Sequence, residues 1–410
     1  MSAEMTLLAL ALLLILAIIV QPRVARVRLP FAATLLLAGF AGSEFLVALG
    51  YPTTLDYRLL HTTVFYGLLP LLVFSAAFRM DTSALREQLT PILAMALPMP
   101  LAIFALISGS VYLGIGHSGG FPWSTALVAG AILTATEPFP LLGKLRESRR
   151  CRRIAVILQA EGLVTVALAV SLYQISVELA TTSHTAVTAM DVLLGFLMSV
   201  GGGAVTGVLF SLMALWLSRR LQSPEQQALV AVAFAYVSFL ASALLLGVSG
   251  IVSALVTGWF FGRATRVDLT DTQEAFQQSF WSFLSHIAGA AIFLLMGITF
   301  TLPLFEERWL AMLIGVAAVL LVRIPQTFVS VLTFRMMPRV QPLDPDEVRI
   351  GYAAGLRGAV ALALAISLPV SLPGWWTVQA LVFGVVLFAL LVQAPVASLL
   401  IERMGRNDGG

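Results

Sequence analysis

Residues 133–161 read LTATEPFPLLGKLRESRRCRRIAVILQAE, and the fold turns on how Thr136-Glu137-Pro138 within them is read. Apolar residues from Phe121 onward carry a membrane-spanning pattern straight into a carboxylate and a proline. An acid at that depth is costly unless it is protonated, paired or open to water. Pro138 removes an amide donor and disfavours helical geometry at Glu137, so the helix is expected to break there. A second acid, Glu161, lies in the next apolar run, beyond a basic turn that holds Lys144, Arg146, Arg149, Arg150, Arg152 and Arg153. Two acids on consecutive spans suggest a path for an ion or a proton.

Outward from that stretch the chain is apolar throughout. It is 59% hydrophobic and 11% charged over 410 residues, with a mean hydropathy of +0.95. Repeated apolar runs at this composition indicate an all-α polytopic membrane protein, a single domain spanning 1–410. About thirteen spans are legible, near 4–20, 28–49, 60–78, 91–114, 122–142, 154–175, 188–217, 226–246, 248–263, 277–300, 309–334, 351–370 and 376–401. The turn at Gly247, Ser249 and Gly250 is so short that spans eight and nine could form one re-entrant unit. Residues 4–20 lack a small-residue cleavage site and read as a first span.

The basic residues set the topology. Arg23, Arg26, Arg28, Arg79, Arg86, the Lys144–Arg153 cluster, Arg219, Arg220, Arg263, Arg266, Arg335, Arg339 and Arg349 fall in alternate turns, and Arg403 and Arg406 in the C-terminal tail. The other turns hold only Arg58 and Arg308. By the positive-inside rule the N-terminus is outside and the C-terminus cytoplasmic. The pI near 9.3 therefore reports topology, since no nucleic-acid motif accompanies it. The single Cys151 can form no intrachain disulfide.

Several polar residues are candidates for chemistry. Glu137 could carry a proton or a cation charge, with Thr136 and unwound carbonyls as oxygen ligands, or it could be a structural acid paired to Arg323 or Arg357. Those two arginines lie in or at the edge of spans, and each needs a carboxylate, a helix C-terminus or water. Glu161 could be a second site acid, but an ion pair with Arg357 would satisfy two buried charges at once. His286 could titrate near neutral pH as an accessory residue, or simply pack. Asp268, Asp271, Glu274, Asp344, Asp346 and Glu347 read as solvated inner loops, and Asp191 as an exposed residue near an outer end. His61, His117 and His184 have no ligand spacing, so no resident metal or cofactor is implied. Gly201-Gly202-Gly203 lacks the Gly-Lys-Ser/Thr of a nucleotide loop, and no Ser/His/Asp order stands out, which argues against an enzyme. Pro98 and Pro100 should kink the fourth span. Breaker-rich charged segments at Thr136-Glu137-Pro138 and Gly355-Leu356-Arg357-Gly358 are what an inverted-repeat transporter with discontinuous helices would show.

At these residues the chain resembles the bacterial sodium/proton exchangers of the monovalent cation/proton antiporter superfamily, especially the NhaP-like branch. Ala135-Thr136-Glu137-Pro138 is similar to that family's Ala-Thr-Asp-Pro, Ile292-Phe293-Leu294-Leu295-Met296-Gly297 to its Ile-Phe-Leu-Leu-Ile-Gly, and Gly355-Leu356-Arg357-Gly358-Ala359-Val360 to its Gly-Leu-Arg-Gly-Ala-Val. The resemblance implies a thirteen-helix homodimer in the bacterial inner membrane, with two discontinuous crossing helices. Core helices would fall near 91–175 and 277–370, and dimerisation helices near 4–78, 188–263 and 376–401. It also implies a buried pair between Glu161 and Arg357. The family's Glu-Ser-Leu-Leu-Asn-Asp-Gly is here Glu161-Gly162-Leu163-Val164-Thr165-Val166-Ala167. The ion-binding Asp is thus Val166, its Asn neighbour Thr165, and a frequent Asn of span ten Gly289. A valine neither coordinates a cation nor carries a proton. The expected function is therefore proton-coupled monovalent cation (sodium or potassium) antiport by alternating access, with Glu137 as the exchangeable carboxylate and Thr136 and Thr165 as hydroxyl ligands. The alternatives are a non-transporting or regulatory homologue and a carrier of another, anionic, substrate that would use Arg323 or Arg357.

Overall fold

The computed structural model describes residues 3–24, 29–49, 60–80, 82–115, 121–137, 139–148, 151–181, 189–221, 223–266, 270–337 and 340–406. Pro138, Arg26, Arg28, Arg58, His117, Arg149, Arg150, His184, Asp268 and Arg339 lie outside them, as do the side chains of Arg23, Arg86, Asp191 and Arg406. Every regular element among the described residues is helical. In chain order these are α1 (Ala3–Val24), α2 (Phe31–Ala48), α3 (Thr62–Phe78), α4 (Thr82–Ala96), α5 (Pro98–Ile115), α6 (Trp123–Thr134), α7 (Phe139–Glu147), α8 (Arg152–Thr181) and α9 (Ala189–Ser218). They continue with α10 (Pro224–Leu245), α11 (Gly250–Thr265), α12 (Asp271–Thr299), α13 (Leu302–Met336), α14 (Pro345–Ala353), α15 (Ala359–Ile366), α16 (Trp375–Phe388) and α17 (Ala394–Arg406), the last two joined by the π-helical Ala389–Gln393.

Eight helices among the described residues are long and apolar enough to cross a membrane, and Ala11–Pro22, Thr62–Phe78 and Trp123–Thr134 are shorter apolar helices. In lipid a backbone must satisfy its own hydrogen bonds, which is why apolar runs of this length become helices. The stretch expected as one kinked span near 91–114 is one candidate span, Thr90–Ile115, interrupted at Leu97 between α4 and α5. Spans eight and nine are two separate helices, α10 and α11, joined through Gly247 at φ +63°, a conformation that favours glycine. Gly203 lies where a Cβ would meet the Ser249 carbonyl, so α9 stays unbroken through its glycines and crosses α11 closely.

The centre of the molecule is α8, almost wholly enclosed, with α4, α6, α7 and α11 packed on it. Two interrupted helices meet beside it. The first stops at Thr134, runs without helix through Ala135 to Glu137, and is followed by α7. The second stops at Ala353, runs without helix through Gly355 to Gly358, and resumes as α15. The Glu137 N–H donates to the Leu356 carbonyl at 2.9 Å, tying the two unwound segments together. The second interrupted helix also begins earlier than the expected 351. Pro345 opens α14 behind a capping box in which Glu347 accepts from the Asp344 N–H at 2.9 Å. Glu347 is buried and bridges Arg153 at 3.3 Å, which corrects its reading as a solvated loop residue.

Candidate functional site

Breaking two helices inside a membrane leaves carbonyls at one end and amides at the other without partners. The charged side chains of the interruptions fill these vacancies reciprocally. Glu137, 6% exposed, accepts from the Ala359 N–H at 3.0 Å through Oε2 and from the Val360 N–H at 2.5 Å through Oε1, capping the amide end of α15. Arg357, 1% exposed, donates Nε to the Leu133 carbonyl at the end of α6 at 2.9 Å and Nη1 to the Gly355 carbonyl at 2.7 Å. Each charge opposes the helix dipole it faces, anion at the amide end and cation at the carbonyl end. One interruption supplies the cap for the other.

The Glu161–Arg357 pair expected from the sequence does not form, because Arg357 is bonded to carbonyls. Glu161 Oε1 instead accepts from Arg323 Nη1 at 3.3 Å and Gln326 Nε2 at 2.6 Å. Arg323 also donates to the Gly351 carbonyl at 2.8 Å and the Tyr352 carbonyl at 3.4 Å, capping the end of α14. The physical reason is the placement of helix ends: the Leu133 carbonyl of α6 holds Arg357, and α13 presents Arg323 and Gln326 to Glu161. Arg323 is thus taken up by Glu161 and two carbonyls, and Arg357 by two carbonyls. Gln326 was missed, although its i+3 spacing from Arg323 puts both on one helix face.

Thr136 and Thr165 do come together, their hydroxyl oxygens 2.7 Å apart. Thr165 Oγ1 also lies 3.0 Å from the Gly162 carbonyl; when it donates there, Thr136 is the donor between the two hydroxyls. Thr165 faces a crevice of about 20 Å³ that it shares with Glu161, away from the larger opening. Unwinding was expected to release carbonyls as ligands, but that of Leu133 is occupied by Arg357.

The larger opening is a cavity of about 490 Å³ lined by Glu137, Val166, Gly289, His286, Ser282, Ser285 and Arg79 among apolar residues. Glu137 is the acid that lines it among the described residues. Val166 gives it an apolar wall where the resemblance would place a carboxylate. His286 is exposed and stacks on Phe31 with ring centres 5.7 Å apart. Arg79 was read as a topology residue only. It donates Nη2 to Ser285 Oγ at 3.1 Å and Nε to the Ser75 carbonyl at 3.3 Å. No group of three or more His, Cys, Asp and Glu among the described residues could hold a metal ion.

With this geometry in view, comparison with known proteins is consistent. A family model described as sodium/hydrogen exchanger, transmembrane, matches residues 10–403. The Na(+)/H(+) antiporter ApNhaP of Aphanothece halophytica is 28% identical over 341 residues, 82% of this chain and 64% of that protein. The Na(+)/H(+) antiporter NhaS2 of Synechocystis is 27% identical over 386 residues, 94% of this chain and 68% of its own length. The chain thus spans less than two thirds of the length of ApNhaP. The structure of the sodium proton antiporter MjNhaP1 from Methanocaldococcus jannaschii superposes with a TM-score of 0.80 over 96% of this chain and 100% of that one, at 21% identity, which establishes the inverted-repeat antiporter fold. The chain belongs to the transmembrane sodium/hydrogen exchanger family.

Proposed function

We propose that this protein exchanges a monovalent cation, sodium or potassium, for protons by alternating access, with Glu137 as the exchanging carboxylate. The observation that carries this reading is the position of Glu137, at the crossing of two interrupted helices and on the wall of the cavity. A carboxylate in that position takes up either a proton or a cation. Both loads cancel its charge, and either neutral form crosses the membrane interior more cheaply than the bare anion. A cation at Glu137 would share its oxygens with the amides of Ala359 and Val360, each oxygen keeping a further lone pair, with the Thr136 hydroxyl close by. The α15 amides would otherwise hold the empty carboxylate, opposing transit without a load.

In this reading a core containing 91–175 and much of 277–370 moves against 4–78, 188–263 and 376–401 within a homodimer in the bacterial inner membrane, N-terminus outside. A Cβ on Gly39 would lie 3.1 Å from the Gly297 Cα, so α2 and α12 approach too closely to slide freely. This favours assigning α12 to the stationary part. Arg308 stacks on Trp376 at 3.7 Å, an arrangement suited to the outer interface.

A non-transporting role is favoured by one observation: both Glu137 oxygens are already engaged and Val166 offers no replacement. The two readings separate in sealed proteoliposomes, by recording internal pH after imposed sodium, potassium or lithium gradients. Exchange predicts cation-driven proton movement with at least one of these ions. Silence with all three from folded, oriented protein would contradict it.

A further inference from the structure

The cavity is larger and greasier than a bare cation requires, and among the described residues its wall carries an arginine that no carboxylate bridges. Its volume of about 490 Å³ falls in the range of small-molecule pockets, roughly 300–1,000 Å³. Leu35, Leu72, Leu163, Val166 and Phe293 are apolar residues of its wall. Glu137, the acid on the wall, has both oxygens engaged by amides. Arg79 meets a carbonyl and a hydroxyl through two of its nitrogens, and no carboxylate bridges it among the described residues. Arg146 is near enough to repel it and gives its own proton to Gln159 at 2.6 Å. Arg266 adds a third positive charge against the carbonyls of Phe78 and Met80, partly offset by Glu274 at 3.8 Å. Ser285, bonded to Arg79, and the exposed His286 are further polar residues of its wall.

We propose that this cavity binds an amphiphilic organic anion, its head group on Arg79 and Ser285 and its apolar body along the Leu35, Leu72 and Val166 wall. A guanidinium carries five donors in a fork that suits a carboxylate or phosphate head, and burying the tail supplies the rest of the affinity. The inference goes beyond cation exchange and does not rest on it, since binding is read directly.

The test uses the full chain in nanodiscs of phosphatidylcholine, titrated calorimetrically with octanoate, with acetate as the head alone and octanol as the body alone. Octanoate is expected to bind at least about tenfold more tightly than either, as a charge-assisted contact and a buried tail together predict. Arg79→Gln should weaken octanoate roughly tenfold and leave octanol unchanged. Gly289→Leu, where an added Cβ meets nothing within 4 Å, should fill the cavity and weaken octanoate without affecting the fold. Unchanged melting of the ligand-free variants establishes that they are folded. If phosphatidylglycerol in the disc displaces octanoate, a lipid is the natural source of the head group; if it does not, a soluble amphiphile is, and both support the site. Octanol binding as tightly as octanoate, or octanoate affinity indifferent to both substitutions, would overturn the proposal, as would no octanoate binding at all.

Discussion

Replacing Arg323 by Met tests which arginine holds Glu161. Arg323 is 4% exposed and makes three hydrogen bonds, to Glu161 and to the carbonyls of Gly351 and Tyr352. Arg323→Met deletes all three and leaves Glu161 with Gln326 alone. Removing one partner of a buried pair costs about 3–5 kcal/mol. The Glu161 side chain keeps 24% of its surface exposed, so water relieves part of the loss and the lower end, about 3 kcal/mol, is expected. Glu161→Gln keeps the shape and loses the charge, at about 1–2 kcal/mol. Since each substitution removes the same contact, the double variant should fall short of the summed losses by about 1–2 kcal/mol. The matching cycle of Arg357→Met with Glu161→Gln should show a coupling smaller by about 1 kcal/mol, because Arg357 spends its donors on Leu133 and Gly355. The assay is unfolding in mixed detergent micelles, read by tryptophan fluorescence, for the four proteins of each cycle. Coupling of Glu161 to Arg357 equal to or above that to Arg323 would refute the assignment of the pair.

Two further outcomes follow from contacts at the ends of the interrupted helices. Gly358→Ala places a Cβ 2.8 Å from Glu137 Oε2, so the carboxylate must shift. Cation dependence in the liposome assay should weaken roughly tenfold with little change in melting, and an unaltered dependence would show that the carboxylate position is unimportant. Burial, the largest cause, raises the Glu347 carboxyl above its ordinary value, with the charge of Asp344 adding and the Asp344 amide and Arg153 opposing. A folded pKa above the unfolded one means a stabilising contribution complete below the unfolded value and lost as pH rises through the folded one. Glu347→Gln should therefore flatten the decline of melting temperature across that weakly acidic window, and an undiminished slope would contradict it.

The architecture was legible where physics leaves one choice. Apolar runs in a lipid-length window must be helices, and an acid followed by Pro138, or Gly355 and Gly358 around an arginine, must interrupt them. The start of α14 was legible in principle, since Asp344-Pro345-Asp346-Glu347 is a capping box behind a first-turn proline, but its charges resemble a solvated turn. The partner of Glu161 was not legible. It depends on which arginine reaches which carbonyl end, and Gly355 matters because a Cβ there would meet the Arg323 guanidinium. Nor could spacing reveal that Glu137 caps α15, because Glu137 and Ala359 are distant in sequence and meet only through the crossing. Arg79 was hidden by its place at a helix end, where a basic residue ordinarily reports orientation.

The most direct test of the central claim is proton release on cation binding. Purified protein in weakly buffered detergent solution is mixed with sodium or potassium chloride, choline chloride serving as the ionic-strength control, and pH is recorded with an indicator dye. If Glu137 trades a proton for a cation, wild type acidifies the solution saturably and folded Glu137→Gln does not. Equal release from both proteins would place the exchanging group elsewhere and contradict the account.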